Sequence, residues 1–294
     1  AVLLIFIYFM TYSDLKQLFL NRLSALYSPN EAESILFFYL YYRLEMEKYQ
    51  WTLRREEQLS EVCMQTITAD LDRLASGFPV QYLVGKCEFF NCELSLNGKV
   101  LIPRPETEEL VVEVVNRFQN RSAQRVLDVG TGSGAIALAL KRYLPQAEVW
   151  ATDFSENALE CARENAENLK LDVNFLHHDI LNDTIDSLPQ DLDILISNPP
   201  YIPISEKENL HRNVKDYEPD SALFVPDSTP LIFYKKIAQV GIELLKPTGV
   251  LLFETYHLFQ NQMVEMLQSL GYKQVVITKD LQGKSRFVEA SMSE

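Results

Sequence analysis

The sequence has 294 residues, 47% hydrophobic and 23% charged, with 10 glycines and 13 prolines. That is ordinary globular composition for about two domains, and it excludes wholesale disorder and collagen-like or low-complexity chains. Its 27 lysines and arginines against 41 aspartates and glutamates leave a formal charge of −14, opposite to the basic footprint that phosphate contacts demand of nucleic-acid binders. The cysteines Cys63, Cys87, Cys92 and Cys161 include no C-x-x-C pair, and there are 4 histidines. Neither a zinc site nor a disulfide framework is expected, and a reducing cytoplasm is the expected setting.

Residues 1–10 are apolar, but about 20 such residues are needed to span a bilayer, and a signal peptide's basic flank and small-residue cleavage site are missing. We expect residues 1–9 to be an over-extended start or a non-native extension. N-terminal sequencing of the native protein tests this, and a start at Ala1 contradicts it. Residues 11–84 read as helices. Leu15, Leu18, Phe19, Leu23 and Leu26 recur at helical spacing. Ser28-Pro29-Asn30-Glu31 gives an N-cap, a proline at the first helical position and a capping-box glutamate. The helix that follows is expected to bury Ala32, Ile35, Leu36 and Tyr39. A further helix runs from about Leu59 to Ser76, with Gly77 as its stop.

The period then changes. Phe89, Phe90, Leu94 and Leu96 lead to Asn97-Gly98 and on to Val100, Leu101 and Ile102, predicting a hairpin that turns at Asn97-Gly98. Pro103-Arg104-Pro105 closes it and opens a helix with early acids Glu106, Glu108 and Glu109. From residue 124 strands and helices alternate, with strand-like runs at 125–129, 148–152, 173–177, 192–197 and 250–254. This predicts an α/β domain with a parallel sheet and helices on both faces. Runs 274–278 and 286–290 are separated only by a short loop holding Gly283, and are expected to pair antiparallel.

Two constellations carry chemistry. Asp128-Val129-Gly130-Thr131-Gly132-Ser133-Gly134 ends a strand and opens a helix, the setting in which glycines turn tightly and admit a ligand to the backbone. Asp153 ends the next strand, where an acid can accept hydrogen bonds from both hydroxyls of a ribose. These residues alone also fit a relaxed dinucleotide fingerprint, Gly130, Gly132 and Ala135. The second constellation, Asn198-Pro199-Pro200-Tyr201, directly follows an apolar strand. Its prolines fix φ and remove two N–H donors, which leaves carbonyls open to a ligand. The Asn198 side-chain oxygen and the Pro199 carbonyl together suit the two hydrogens of a planar NH₂ group, with Tyr201 packed on its plane. His177-His178-Asp179 is not read as a metal site, because adjacent strand residues point to opposite faces.

With both motifs in one chain, the sequence resembles the class I S-adenosylmethionine-dependent methyltransferases that modify amino nitrogens. Flanking segments narrow this to the HemK-type peptide chain release factor glutamine methyltransferases: Phe78 to Gly85, Glu88-Phe89-Phe90, Leu101 to Glu108, Tyr217-Glu218-Pro219 with Ala222-Leu223, and Lys279-Asp280-Leu281 with Gly283 and Arg286. The resemblance spans about residues 11–291. It implies a Rossmann-like seven-stranded methyltransferase domain at 104–294, an N-terminal helical substrate-recognition domain at 11–84 and a β-hairpin linker at 85–103. It further implies an enzyme that methylates N5 of the glutamine in the Gly-Gly-Gln motif of release factors and releases S-adenosyl-L-homocysteine; separately, a monomer is expected. Carried over, Gly130, Thr131, Gly132, Ser133 and Gly134 line the methionine moiety. Asp153 holds the ribose with Phe154 beside it, Asp179 meets the adenine amino group with Ile180 on the ring, and Asn198, Pro199, Pro200 and Tyr201 hold the glutamine amide. Asn198, Pro199 and Tyr201 are then the candidate catalytic residues.

Two segments depart from the family. Its usual Glu-Ile-Gly after the fifth strand is Glu254-Thr255-Tyr256 here, and its glycine-rich stretch beyond Leu223 is Phe224-Val225-Pro226-Asp227-Ser228-Thr229. An adenine-N6 methyltransferase shares the Asn-Pro-Pro-Tyr motif, but it must hold a flipped base against a charged backbone, which the acidic balance disfavours. A NAD-dependent dehydrogenase leaves Asn198–Tyr201 unexplained, and an intact motif gives no support to a non-catalytic scaffold.

Overall fold

The computed structural model describes residues 10–121 and 124–293; residues 1–9, and with them the expectation about the chain start, lie outside the described residues. The chain forms two compact units. One ends at Lys86 and takes in His211–Tyr217. The other comprises Cys87–Leu210 and Glu218–Glu294.

The first unit is helical: α1 (Tyr12–Leu23), α2 (Pro29–Leu44), α3 (Lys48–Arg54), α4 (Glu61–Ala75) and α5 (Val80–Val84). Thr11 and Ser28 each cap their helix in a full capping box, with Asp14 and Glu31 as the returning acids, so the first-turn N–H groups are satisfied. Leu15, Phe19 and Leu23 of α1 meet Leu36, Tyr39 and Leu40 of α2 and Met64, Ile67 and Leu71 of α4 in one buried cluster. Each such side chain contributes about 1.5–3 kcal/mol when taken out of water. Ile35, expected in this core, is only half-buried. Asp70 enters the cluster because Tyr39 Oη donates to its carboxylate at 2.8 Å and Arg43 Nε at 3.2 Å. The short segment 211–217 returns to this unit, where His211 Nε2 lies 2.9 Å from the Leu26 carbonyl and the Tyr217 ring sits edge-on to Phe78. The division in simple chain order contains no such return.

The second unit opens with β1 (Lys86–Phe89) and β2 (Cys92–Ser95). Their hairpin turns at Phe90-Asn91, both at positive φ (46° and 58°), and not at Asn97-Gly98 as the sequence predicts. Asn97 instead folds its side chain onto the Lys99 N–H at 3.0 Å, an Asx turn in a loop. The apolar run beyond it joins no strand, and its Ile102 N–H goes to Glu218 Oε2 at 3.1 Å. Helix α6 (Pro105–Phe118) follows, and its Glu108 carboxylate accepts from the Phe90 N–H at 3.0 Å.

A sheet with interleaved helices completes the unit: β3 (Arg125–Val129), α7 (Ala135–Tyr143), β4 (Glu148–Asp153), α8 (Glu156–Leu169), β5 (Asn174–His177), β6 (Leu192–Ser197), a two-residue pair β7 (Ile202–Pro203) and β8 (Phe224–Val225), α9 (Ile232–Leu244), β9 (Leu245–Glu254), α10 (Gln260–Ser269), β10 (Gln274–Lys279) and β11 (Ser285–Ser291). The seven strands lie in the order β10-β11-β9-β6-β3-β4-β5. Only β11 runs against the others; it pairs antiparallel with both β9 and β10, as the last two runs predicted. The parallel registers match Val129 with Thr152 and with Ser197, and Ser197 with Phe253. The loops that begin at Gly130, Asp153, Asn198 and Glu254 therefore leave the sheet side by side, at the carboxyl edge where open α/β sheets bind ligands.

Candidate active site

A cleft runs along this edge, with about 790 Å³ of free space including its open mouth. Its walls include Gly130, Gly132, Asp153, Phe154, Asp179, Ile180, Asn198, Pro199 and Pro200. Nine of the sequence-predicted residues thus share one cavity although they come from four loops. A Cβ built on Gly130 or Gly132 would meet nothing within 4 Å, so the bare backbone there fronts open space. Both sit at positive φ, 76° and 57°, which favours glycine.

Thr131, Ser133, Gly134 and Tyr201 are not among the cleft's lining residues. Thr131 turns its hydroxyl inward and donates to Asp128 Oδ2 at 2.6 Å. Asp128 is fully buried, and burial pushes its carboxyl up to about 7 despite that hydroxyl and the Ala137 N–H. The Ser133 carbonyl accepts from Asn165 Nδ2 at 2.9 Å. Gly134 caps α7 with φ 84°, and a Cβ on it would stand 2.9 Å from Leu138 Cδ1 and 3.2 Å from Ala162 Cβ. These three shape the turn from behind.

Asp153 ends β4 with 7% exposure. Gly132 N–H donates to its Oδ2 and Ser155 N–H to its Oδ1, both at 2.9 Å. Burial raises its carboxyl above the ordinary carboxylate range, opposed by N–H groups of Ser155, Gly132 and Phe154 and by His177. Asp179 spends both oxygens on its own loop, accepting from Leu181 N–H at 2.9 Å and Asn182 Nδ2 at 2.7 Å, with the apolar wall of Ile180 beside it. The cleft therefore presents the Asp153 carboxylate and an apolar slot next to an acidic loop.

At the other end stands the rigid motif that leaves β6. Asn198 Nδ2 donates to Thr107 Oγ1 at 3.3 Å. Tyr201 Oη donates to Glu254 Oε1 at 3.2 Å, and the Tyr201 ring stacks on Tyr256 at 5.9 Å and 12°. Burial raises both the Tyr201 phenol and the Glu254 carboxyl; Arg286 opposes both shifts. Arg104 gives its guanidinium to Glu218 Oε1 at 2.6 Å.

The sequence alone did not single out four contributors. His178 lines the cleft from the end of β5, and the adjacent-histidine signal was there to be read. Thr107 and Glu254 meet the motif from α6 and β9. Asn165, with no exposure, accepts from Ser95 N–H at 2.6 Å and donates to the Ser133 and Ser95 carbonyls; a lone asparagine in mid-helix carries no such signal. Among the described residues no group of three or more His, Cys, Asp or Glu side chains is placed to hold a metal ion.

The sheet order, the glycine turn after β3 and the acid ending β4 define a class I methyltransferase domain. Residues 110–215 match the Methyltransferase small domain family and residues 14–85 match the PrmC N-terminal domain. The chain is 39% identical to the release factor glutamine methyltransferase of Bacteroides thetaiotaomicron over 92% of its own length and 96% of that protein. It is 34% identical to that of Flavobacterium psychrophilum over 93% and 96%. A methyltransferase structure from Pyrococcus furiosus, 18% identical, shares the fold with a TM-score of 0.52 over 78% of this chain and all of that one. The protein belongs to the release factor glutamine methyltransferase family.

Proposed function

We propose that this protein transfers the methyl group of S-adenosylmethionine to the side-chain amide nitrogen of the glutamine in the Gly-Gly-Gln motif of peptide chain release factors, modulating translation termination in the cytoplasm as a monomer. The observation that carries this reading is the shared cleft. The diol acceptor Asp153 and the NH₂ acceptors of Asn198 and Pro199 line one cavity, so a nucleoside-bearing donor and an amide acceptor can meet. Family membership supports the protein substrate, and the −14 charge weighs against the adenine-N6 alternative.

The residues present fit the donor. Gly130 and Gly132 leave open space for its methionine end, Asp153 accepts from its ribose hydroxyls, and Ile180 and Asp179 flank its adenine. When bound, S-adenosylmethionine supplies an electrophilic methyl on a sulfonium and is released as S-adenosyl-L-homocysteine. An amide nitrogen is a poor nucleophile because its lone pair is delocalised, so positioning is the main tool available. Asn198 Oδ1 and the Pro199 carbonyl take the two amide N–H groups and hold the nitrogen in line. As that nitrogen becomes positive its N–H groups become stronger donors, so the same two oxygens stabilise the transition state more than the ground state. The Glu254 carboxylate is already engaged by Thr107 and Tyr201, and the departing proton goes to water.

The test is methyl transfer from labelled S-adenosylmethionine to an unmethylated release factor, its Gly-Gly-Ala variant and duplex DNA in separate reactions. Label on the wild-type factor alone, with about 14 Da gained at the glutamine, is the expected result. Label on DNA would promote the adenine reading, and no label on any of them would overturn the substrate assignment.

A further inference from the structure

Asn198 can serve as an acceptor only if its amide faces one way. The two ends of an asparagine side chain have the same shape and opposite hydrogen-bonding character. Turned around, Asn198 would offer an NH₂ to the substrate's NH₂, donor against donor. Something must therefore set its polarity.

The structure holds a chain of bonds that does so. Glu254 ends β9 at 1% exposure, and Thr107 lies in the first turn of α6 at 4%. Thr107 Oγ1 donates to Glu254 Oε2 at 2.6 Å and accepts from Asn198 Nδ2 at 3.3 Å. A hydroxyl has one proton to give. Thr107 gives it to Glu254 Oε2, so toward Asn198 it offers only a lone pair. Asn198 must then point its NH₂ at Thr107, and its Oδ1 is left for the cleft. The same carboxylate takes the Tyr201 hydroxyl on its other oxygen, so one buried group anchors the first and last residues of the four-residue motif. A carboxylate costs free energy to bury, and Glu254 is bonded here by two hydroxyls, with Arg286 acting on it through charge alone.

We propose that Thr107 and Glu254 are positioning residues that fix the polarity of the Asn198 amide, and with it the ability of the site to accept a substrate NH₂. This rests on the glutamine reading above. The substrate touches neither residue; both act through Asn198 and Tyr201.

The experiment compares wild type with Thr107→Val, which keeps the shape and removes the hydroxyl, and Thr107→Ser, which restores it. Steady-state methylation of an unmethylated release factor is read beside S-adenosylhomocysteine affinity and melting temperature. Thr107→Val is expected to lower kcat about 10-fold or more, since Asn198 then samples both orientations and loses part of an acceptor that is worth about 10²–10³ in rate. Its KM and its S-adenosylhomocysteine Kd should stay within about twofold, and Thr107→Ser should recover most of the lost rate, a rescue that a packing role for the β-branched side chain would not give. Should Thr107→Val fail to fold, Thr107→Ala gives the same reading with a smaller apolar group beside the carboxylate. A variant lacking the hydroxyl that turns over like wild type, or a serine variant as slow as valine, overturns the inference while leaving the function standing. A wild-type enzyme that does not label glutamine overturns both.

Discussion

Asp153 and Gly132 hold each other across the cleft floor: the Gly132 N–H donates to Asp153 Oδ2 at 2.9 Å, so the glycine turn aims the carboxylate that the ribose is proposed to use. Ser155 N–H fixes the other oxygen. A carboxylate held by two backbone donors is fixed in position before any ligand arrives, and its remaining lone pairs are available.

Asp153→Asn is therefore expected to weaken S-adenosylhomocysteine binding by about 10- to 100-fold, the worth of hydrogen bonds to a charged acceptor. The effect should depend on pH. Burial raises the Asp153 carboxyl, and the titratable groups acting on it are His177 and, through charge, Asp128. Ribose hydroxyls favour the ionised form, so binding is tightest above the raised value and weakens as pH falls through it. Calorimetric titration over a series of falling pH values should show that slope in wild type. Asp153→Asn should be flat, and an equal slope there would assign the dependence to a group other than Asp153.

The glycines of the same turn should separate by mechanism. Gly134→Ala places a Cβ at 2.9 Å from Leu138 Cδ1 and 3.2 Å from Ala162 Cβ, at φ 84°, so it combines steric conflict with left-handed strain and is expected to cost about 2–4 kcal/mol of stability. Gly130→Ala meets nothing within 4 Å and carries only the backbone penalty of about 1–2 kcal/mol. Its methyl would enter the space assigned to the donor, so the larger effect is expected in cofactor affinity. Thermal melts and titrations on both variants check the contrast; a Gly130→Ala variant that melts lower than Gly134→Ala would contradict it.

Local chemistry explains which features were legible in the sequence. Ser28 and Glu31, the turn from Asp128 to Gly134 and the antiparallel ending each announce themselves within a few residues, because caps, turns and hairpins are decided at that range. The hairpin turn was misplaced because Phe90 and Asn91 carry positive φ without a glycine, while Asn97-Gly98 satisfied its turn preference inside a loop. Thr107 and Glu254 lie 147 residues apart, and nothing local links them; the β6–β9 register brings Glu254 beside Asn198, and α6 brings Thr107 to both. Asn165 reads as a surface polar residue until β2 and the glycine turn close over it.

Asn165 predicts a coupling between that closure and the cofactor site. Its side chain bonds Ser95 on β2 and Ser133 in the turn, with no exposure to water. Asn165→Leu would leave the Ser95 N–H and the Ser133 carbonyl buried without these partners, at about 1–3 kcal/mol for each group. The expected result is a lower melting temperature together with weaker S-adenosylhomocysteine binding. Loss of stability with unchanged affinity would confine Asn165 to holding β2.

Tyr256 follows the end of β9, and its ring stacks on Tyr201 at 5.9 Å and 12°. An aromatic pair of this kind is worth about 0.5–1.5 kcal/mol. Tyr256→Ala is expected to lower kcat/KM for the release factor by about 2- to 10-fold, through a looser Tyr201, with S-adenosylhomocysteine affinity unchanged. An unaltered kcat/KM would mean that the hydrogen bond to Glu254 alone suffices to hold the Tyr201 ring.

Asn198 gives the sharpest separation of binding from chemistry. It shares the cleft with Asp153, and Asn198→Ala removes one of the two oxygens proposed to strengthen their hold as the amide nitrogen becomes positive. The loss falls on the transition state, and kcat is expected to drop about 10²–10³-fold while S-adenosylhomocysteine affinity stays near wild type. Asn198→Asp keeps an acceptor but adds a charge and no donor for Thr107. Thr107 then has one proton between two carboxylates, and turnover should remain well below wild type. Single-turnover methylation with saturating donor measures the step directly. Near-native rates for Asn198→Ala would move the acceptor role to the Pro199 carbonyl alone.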